Sequence, residues 1–161
     1  MIGKSGTASI RINRNKDSSF LSIKDWTDEE LKIKEPIIDA LLDEGFVHPS
    51  IIQSVAIPLI IRNEDNFYGY KNLVAQSPNG SGKSLAFIVG CLQRIDPSNP
   101  KCQVLLLMPN RELINQCFET LQTVNRYTKY TISMIWGEDK KHEIGQVAVT
   151  LLKKAAKLIK E

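Results

Sequence analysis

The sequence predicts an α/β domain of three layers, a parallel sheet with helices on both faces. Three observations carry this prediction. Apolar runs of strand length at 73–75, 104–108, 131–136 and 147–150 alternate with stretches of helical period, the pattern of βαβ units. The run 104–108 is apolar throughout, as in strands buried on both faces of a sheet. The first run passes through a loop with two glycines, Gly80 and Gly82, directly into a helical pattern.

Composition agrees with this reading. The chain has 161 residues, 42% hydrophobic and 24% charged, which suits one globular domain with a core large enough to need no disulfide or metal. Cys91, Cys102 and Cys117 lack Cys-x-x-Cys spacing and sit among apolar residues. They read as small buried hydrophobes in a reducing compartment. Two histidines without ligand spacing argue against zinc. No apolar run approaches the ~18 residues of a membrane span, and the N-terminus lacks the apolar stretch of a signal peptide. A formal net charge of +3 is by itself too small to indicate a nucleic-acid partner.

In chain order, residues 1–24 are polar, rich in Gly and Ser, and mildly basic through Lys4, Arg11, Arg14 and Lys16. A disordered tail is expected there, and an ordered unit over 25–150. Pro36 suits the first turn of a helix with Ile37, Ile38, Leu41 and Leu42 inward and Gly45 just past its end. Pro49 opens a second helix carrying Ile51, Ile52, Val55, Ala56 and Leu59, which Pro58 should kink or end. A polar loop at 62–71 holds Phe67, Tyr68 and Tyr70. The run Leu73, Val74, Ala75 then reads as a buried strand ending at polar Gln76. From Lys83 onward, Leu85, Ala86, Val89 and Leu92 fall at helical spacing. After a turn at 96–100 and the strand 104–108, Asn110 is placed to N-cap a helix with Leu113, Ile114, Cys117, Phe118 and Leu121 inward. Two more strands follow, and 151–161 reads as a basic amphipathic helix of about three turns that would cover a sheet face.

The loop between the first strand and its helix is the chemical centre. A Gly-rich turn feeding a helix N-terminus aims backbone N–H groups into one concavity, where the helix dipole also favours anions. Gly80 and Gly82 let a phosphate approach the backbone closely. Lys83 would reach the β/γ-phosphates, and the Ser84 hydroxyl would sit on Mg²⁺. The stretch Gly80-Ser81-Gly82-Lys83-Ser84 matches the end of the P-loop pattern G-x-x-x-x-G-K-[ST], but Ser77 stands where that pattern has its first Gly.

Three motifs recur at the spacing of a known family. Trp26, Gly45-Phe46, Pro49-Ser50 and Ile52-Gln53 resemble its Q motif. Ala75 to Ser84, AQSPNGSGKS, resembles its motif I. Pro109-Asn110-Arg111-Glu112-Leu113-Ile114 resembles its motif Ia, commonly PTRELA. The chain thus resembles, over about 25–150, the first RecA-like domain of the DEAD-box ATP-dependent RNA helicases, and within them the branch that acts in mRNA export at the nuclear pore. That branch also has Ser at the first P-loop position, so Ser77 counts for the assignment.

The resemblance implies ATP and Mg²⁺ as ligands, with Ser77, Pro78, Asn79, Gly80, Ser81, Gly82, Lys83 and Ser84 around the phosphates. Lys83 and Ser84 would also be the residues that serve catalysis. Gln53 would select adenine, since a carboxamide can pair with N6 and N7 at once. Trp26 would stack on the base, with a buried structural tryptophan as the alternative. Phe46 reads as core packing. Pro109, Asn110 and Arg111 would meet an RNA phosphate at a helix N-terminus, and Asn110 replaces the family's Thr. Gly137 falls where the family has a glycine-rich, RNA-contacting turn. Single-stranded RNA and mRNA-export factors are the expected partners of a monomer in the cytoplasm or nucleus.

The departures are equally specific. No Asp-Glu-Ala-Asp occurs in the 161 residues, and Val149-Thr150 is followed by Leu151-Leu152 where the family has Pro-Gly. The sequence is expected to be the ATP-binding portion of a helicase, a fragment without catalytic competence of its own. A non-catalytic nucleotide- or RNA-binding module that regulates a full helicase is the alternative. A different P-loop NTPase is disfavoured by Gln53 and Arg111.

Overall fold

The computed structural model describes residues 23–61, 72–135 and 144–158, with side chains to 155. The element order is α1 (Glu35–Asp43), α2 (Ile51–Ile61), α3 (Lys83–Gln93), β1 (Val104–Met108), α4 (Arg111–Val124), β2 (Ile132–Ile135), β3 (Val147–Leu151) and α5 (Leu152–Leu158). The three strands form a parallel sheet in the order β1-β3-β2. Val104 and Ile132 both pair with Val147, and Met108 pairs with Leu151. The α/β class and parallel sheet expected from the sequence are therefore present.

Helix ends follow local chemistry. Pro36 lies in the first turn of α1. At the other end the Gly45 N–H bonds Leu42 O and the Phe46 N–H bonds Leu41 O, with Gly45 at φ +79°. This is the paired closure of a Schellman motif, and it needs a residue at ease in the left-handed region. The Asn110 side chain accepts from the Leu113 N–H at 2.9 Å, as an N-cap should.

The core gathers Leu31, Ile37, Leu41, Ile57, Ile88, Leu92, Ile114, Leu121 and Val124 around the central strand β3, whose Val147, Ala148 and Val149 are buried. Thr150 is buried too, and its hydroxyl donates to Ile135 O across the ladder. Ile114, Cys117, Leu121 and Val124 form the inward face of α4.

Several expectations change, among them the inward place of Leu42, which is exposed, and burial of the run 104–108 on both faces, since Leu105 and Leu107 are exposed. The run 73–75 is not a strand. Leu73 and Val74 are exposed, Val74 at 94%. No strand lies alongside it among the described residues, and an extended segment becomes a strand only when a neighbour completes its hydrogen bonds. Of the two outcomes open at Pro58, a kink or an end, the end does not occur, since α2 runs three residues further to Ile61. Tertiary packing of Ile57 holds the helix through the position where Pro lacks its N–H. Leu113 is exposed rather than inward, being one residue off the buried stripe of α4. Phe46 is largely exposed, because the Schellman turn carries it off the end of α1. Cys102 is exposed, while Cys117 is buried. The strand 147–150 extends to Leu151, so α5 begins at Leu152 and packs on β3 and β1. The tail at 1–22, the aromatics Phe67, Tyr68 and Tyr70, and Gly137 lie outside the described residues.

Burial pushes the Cys117 thiol up to about 11, with Cys91 adding to the effect. Since the thiolate is the nucleophile, a disulfide reagent at pH 8 should label the exposed Cys102 quickly and Cys117 only on unfolding. Fast labelling of Cys117 in the folded protein, read by peptide mass spectrometry, would contradict its place in the core.

Candidate functional site

The site is built where α2 begins against the loop that leads into α3. Ser50 immediately precedes α2, so it occupies the N-cap position and Gln53 the third helical position. Ser-x-x-Gln is the spacing of a capping box, in which the two side chains satisfy each other's backbone N–H. Only half of that box forms here. Gln53 Oε1 accepts from the Ser50 N–H at 2.7 Å. The Ser50 hydroxyl turns away and donates to Ser81 O at 2.8 Å. The remaining end of the Gln53 carboxamide, Nε2, donates to Gly82 O at 3.2 Å. Two bonds thus tie the start of α2 to the glycine-rich loop.

Gly82 precedes α3 in the left-handed region at φ +91°, and a Cβ there would collide with the Gln53 carboxamide. Both facts demand glycine. Lys83 opens α3 and turns its ammonium back over the loop. Nζ donates to Ser77 O at 2.6 Å and to Pro78 O at 2.8 Å. The Ser77 and Ser81 hydroxyls are hydrogen-bonded to each other at 2.6 Å. Pro78, Asn79 and Gly80 form the exposed rim, and Ser84 is exposed in the first turn of α3. A loop that gathers Lys83, Gly82, Ser81 and a helix N-terminus is suited to polyphosphate, and Ser84 can offer one oxygen to a divalent cation.

Gln53 is 4% exposed, and both ends of its amide already meet protein. A carboxamide has two N–H donors and two acceptor lone pairs. One of each remains, which is what pairing with an adenine edge requires.

Trp26 is a correction. It is 2% exposed, and its Nε1–H donates to Phe46 O at 2.5 Å. Its ring is enclosed by the core cluster and has no open face for a base. The alternative open at the sequence level, a structural tryptophan, is the one realised. Large aromatic side chains near α1 have more to gain from burial than from solvent.

The second group of residues lies at the C-terminal end of β1. Pro109 and Asn110 lead into Arg111, the first residue of α4, and all three are exposed. The Asn110 carboxamide oxygen is occupied by the cap, leaving its NH₂ as donor. Among the described residues no group of three His, Cys, Asp or Glu side chains could hold a metal ion. Ser50 is the site residue that sequence reading placed in a motif but assigned no role. The Ser-x-x-Gln spacing carried the signal for half of that role.

Comparison with known proteins places this geometry in a class. The model of the DEAD/DEAH box helicase family matches residues 50–159, and the chain belongs to that family. The ATP-dependent RNA helicase DBP5 of Debaryomyces hansenii is 37% identical over 119 residues, covering 74% of this chain and 23% of that protein. DEAD-box ATP-dependent RNA helicase 38 of Oryza sativa is 38% identical over 104 residues, covering 64% of this chain and 20% of that protein. The structure of S. cerevisiae Dbp5 bound to RNA and ADP BeF3 superposes with a TM-score of 0.72 at 30% identity, over 82% of this chain and 33% of that one. The L327V variant of the yeast protein has also been solved with Nup159, a Gle1 variant, IP6 and ADP, at a TM-score of 0.70 and 30% identity over 80% of this chain and 34% of that one. The chain spans about a fifth to a quarter of the length of the curated relatives it matches, in their N-terminal RecA-like domain.

The burial of Trp26 makes a prediction. Trp26→Leu should lower the urea midpoint, by less than the about 3–5 kcal/mol that full truncation to Ala costs, and leave ATP affinity unchanged. Loss of affinity in a folded Trp26→Leu protein would restore the stacking role.

Proposed function

We propose that this chain is the ATP-binding part of a DEAD-box RNA helicase. Its loop 77–84 holds the β/γ-phosphates, and Gln53 reads adenine. The observation that carries this is the joint between α2 and α3. A left-handed Gly82 at a helix N-terminus, Lys83 folded over the loop and Gln53 on the Gly82 carbonyl support reading the loop as a phosphate cradle and the adjoining carboxamide as the group that reads the base. Mg²⁺ arriving with the triphosphate would take the Ser84 hydroxyl as a ligand. In-line transfer to water is an electrostatic task, in which the metal neutralises charge developing on the phosphates. The contribution of these residues is to bind and orient. Lys83 leaves the Ser77 and Pro78 carbonyls for phosphate oxygens, the loop amides donate, and Gln53 keeps the base in register with them.

Calorimetry tests the reading. Lys83→Ala should remove most ATP and ADP affinity while the circular dichroism spectrum stays that of the parent. The parent should prefer ATP to GTP, and Gln53→Ala should bring the two together. Equal binding of ATP and GTP by the parent would remove Gln53 from base recognition, and unchanged affinity in Lys83→Ala would remove the loop from phosphate binding.

Single-stranded RNA is the proposed second ligand, met by Pro109, Asn110 and Arg111 where a helix N-terminus and a guanidinium coincide. Gly137 belongs to the same proposal on the family resemblance alone. Arg111→Ala should weaken RNA binding and lower the log–log salt slope by roughly 0.7, the share of one single-strand phosphate contact. By kinship with the DBP5 relatives, the proposed setting is RNA remodelling with mRNA-export factors at the nuclear pore.

The 161 residues contain no Asp-Glu-Ala-Asp to carry the water-positioning carboxylates. This polypeptide by itself should therefore show no RNA-stimulated turnover near the roughly 1 s⁻¹ typical of working enzymes. Turnover at that rate would locate the missing carboxylate elsewhere in the sequence.

A further inference from the structure

Asn79 and Gly80 form the tip of the loop before α3. The Ser81 N–H reaches back to Pro78 O at 3.4 Å, closing a turn with these two residues at its corner. Both are exposed. Gly80 stands in the left-handed region at φ +75°, and a Cβ built on it would meet nothing within 4 Å. Among the described residues no hydrogen bond engages the Asn79 carboxamide or the Gly80 N–H. An asparagine side-chain carbon can close a five-membered ring with the nitrogen of the next residue. A Cβ on that residue crowds the approach, and glycine has none.

The other asparagines lack this combination. Asn79 alone precedes glycine in the sequence. Asn99 is followed by Pro100, which has no N–H to lose. The Asn110 carboxamide is held by the Leu113 N–H, and that of Asn125 by Thr128 and Tyr130.

We propose that Asn79–Gly80 is a self-modifying site, where the loop turns its own neutral amide into a carboxylate and thereby loses its fit for polyphosphate. Solvent base takes the Gly80 N–H proton, and the nitrogen attacks Asn79 Cγ. The new C–N bond closes a succinimide, the Cγ–Nδ2 bond breaks, and ammonia leaves with a proton from water. A water molecule then opens the ring. Attack at Cγ gives aspartate; attack at the main-chain carbonyl gives isoaspartate, with the chain continued through the former side chain. Either product carries one carboxylate, its proton passes to the ammonia, and no oxidant or reductant takes part.

Lys83 gives the new charge its effect. Its ammonium rests on the carbonyls of Ser77 and Pro78, the second of which is bonded directly to Asn79. A carboxylate at 79 competes with an arriving polyphosphate for that cation and repels the polyphosphate itself. Two unit charges about 4 Å apart change an equilibrium about 5-fold even in bulk water. This consequence rests on the reading of 77–84 as the phosphate loop; the modification does not.

The experiment uses the full 161-residue chain, fresh and after ageing in warm, mildly alkaline buffer. Peptide mass spectrometry should find Asn79 converted to an acid in two chromatographically separate forms, aspartate and isoaspartate, with Asn99, Asn110 and Asn125 still amides. Conversion at 79 no faster than at those three overturns the proposal. Calorimetry with ADP and Mg²⁺ reads the consequence. Asn79→Asp and the aged parent should each bind roughly 5-fold or more weakly than the fresh parent. Asn79→Gln, whose longer side chain would need a six-membered ring, should keep on ageing the affinity it starts with. Unchanged affinity in Asn79→Asp, or equal loss on ageing by Asn79→Gln and the parent, overturns the link to polyphosphate. A fresh parent that binds no ADP and still converts at Asn79 upholds the modification site and removes the phosphate-binding reading.

Discussion

The carboxamide of Gln53 lies buried between two backbone segments, with its oxygen on the Ser50 N–H and its nitrogen on the Gly82 carbonyl. A helix start leaves N–H groups that need partners, and a buried amide needs partners for both of its ends. One side chain meets both demands here, and in doing so it fixes the distance between α2 and the loop before α3. The Ser50 hydroxyl, freed from its usual capping bond, adds a second tie to Ser81. The glycine at 82 follows from this junction, since any Cβ would enter the space of the Gln53 side chain. The residues proposed to read the base and to hold phosphate therefore share one hydrogen-bonded joint.

That joint rests on the packing behind it. α2 and α3 lie against each other, and the Arg94 guanidinium at the end of α3 donates to Ile60 O near the end of α2. Ile57, Ile88, Val89 and Leu92 are fully buried in the same cluster. Each such side chain contributes about 1.5–3 kcal/mol on removal from water, whereas a surface ion pair such as Arg126 with Glu44 is screened by solvent and adds little. The loop borrows its order from that cluster. Lys34 locks the adjoining layer in the same way, donating to Ile95 O and to the Tyr130 hydroxyl while lying over the Tyr130 ring.

The sheet is less enclosed than the helices. Leu105 and Leu107 on β1 are exposed on alternate positions while Leu106 between them is buried. This is the pattern of a strand covered on one face. The run 73–75 before the loop carries the residues of a strand and the exposure of a coil. Hydrophobicity states what a segment would gain by burial. Whether it is buried depends on which other segments lie beside it.

Features decided by neighbours within a few residues were legible in the sequence. The caps at Gly45 and Asn110, the left-handed glycines before Lys83 and the helical stripe of α4 arise from bonds a few residues apart, so local residue order is enough to specify them. The parallel sheet was legible as a class because βαβ spacing leaves few alternatives. Tertiary structure alone decided the rest. Trp26 lies in the core, where its indole N–H donates to Phe46 O twenty residues away, and so takes the structural rather than the base-stacking place that the sequence leaves open. Ser50, whose motif names no partner for it, ties α2 to Ser81, thirty-one residues on. The apolar run 73–75 forms no strand among the described residues, because a strand is a relation between two segments and its partner is not written in the segment itself.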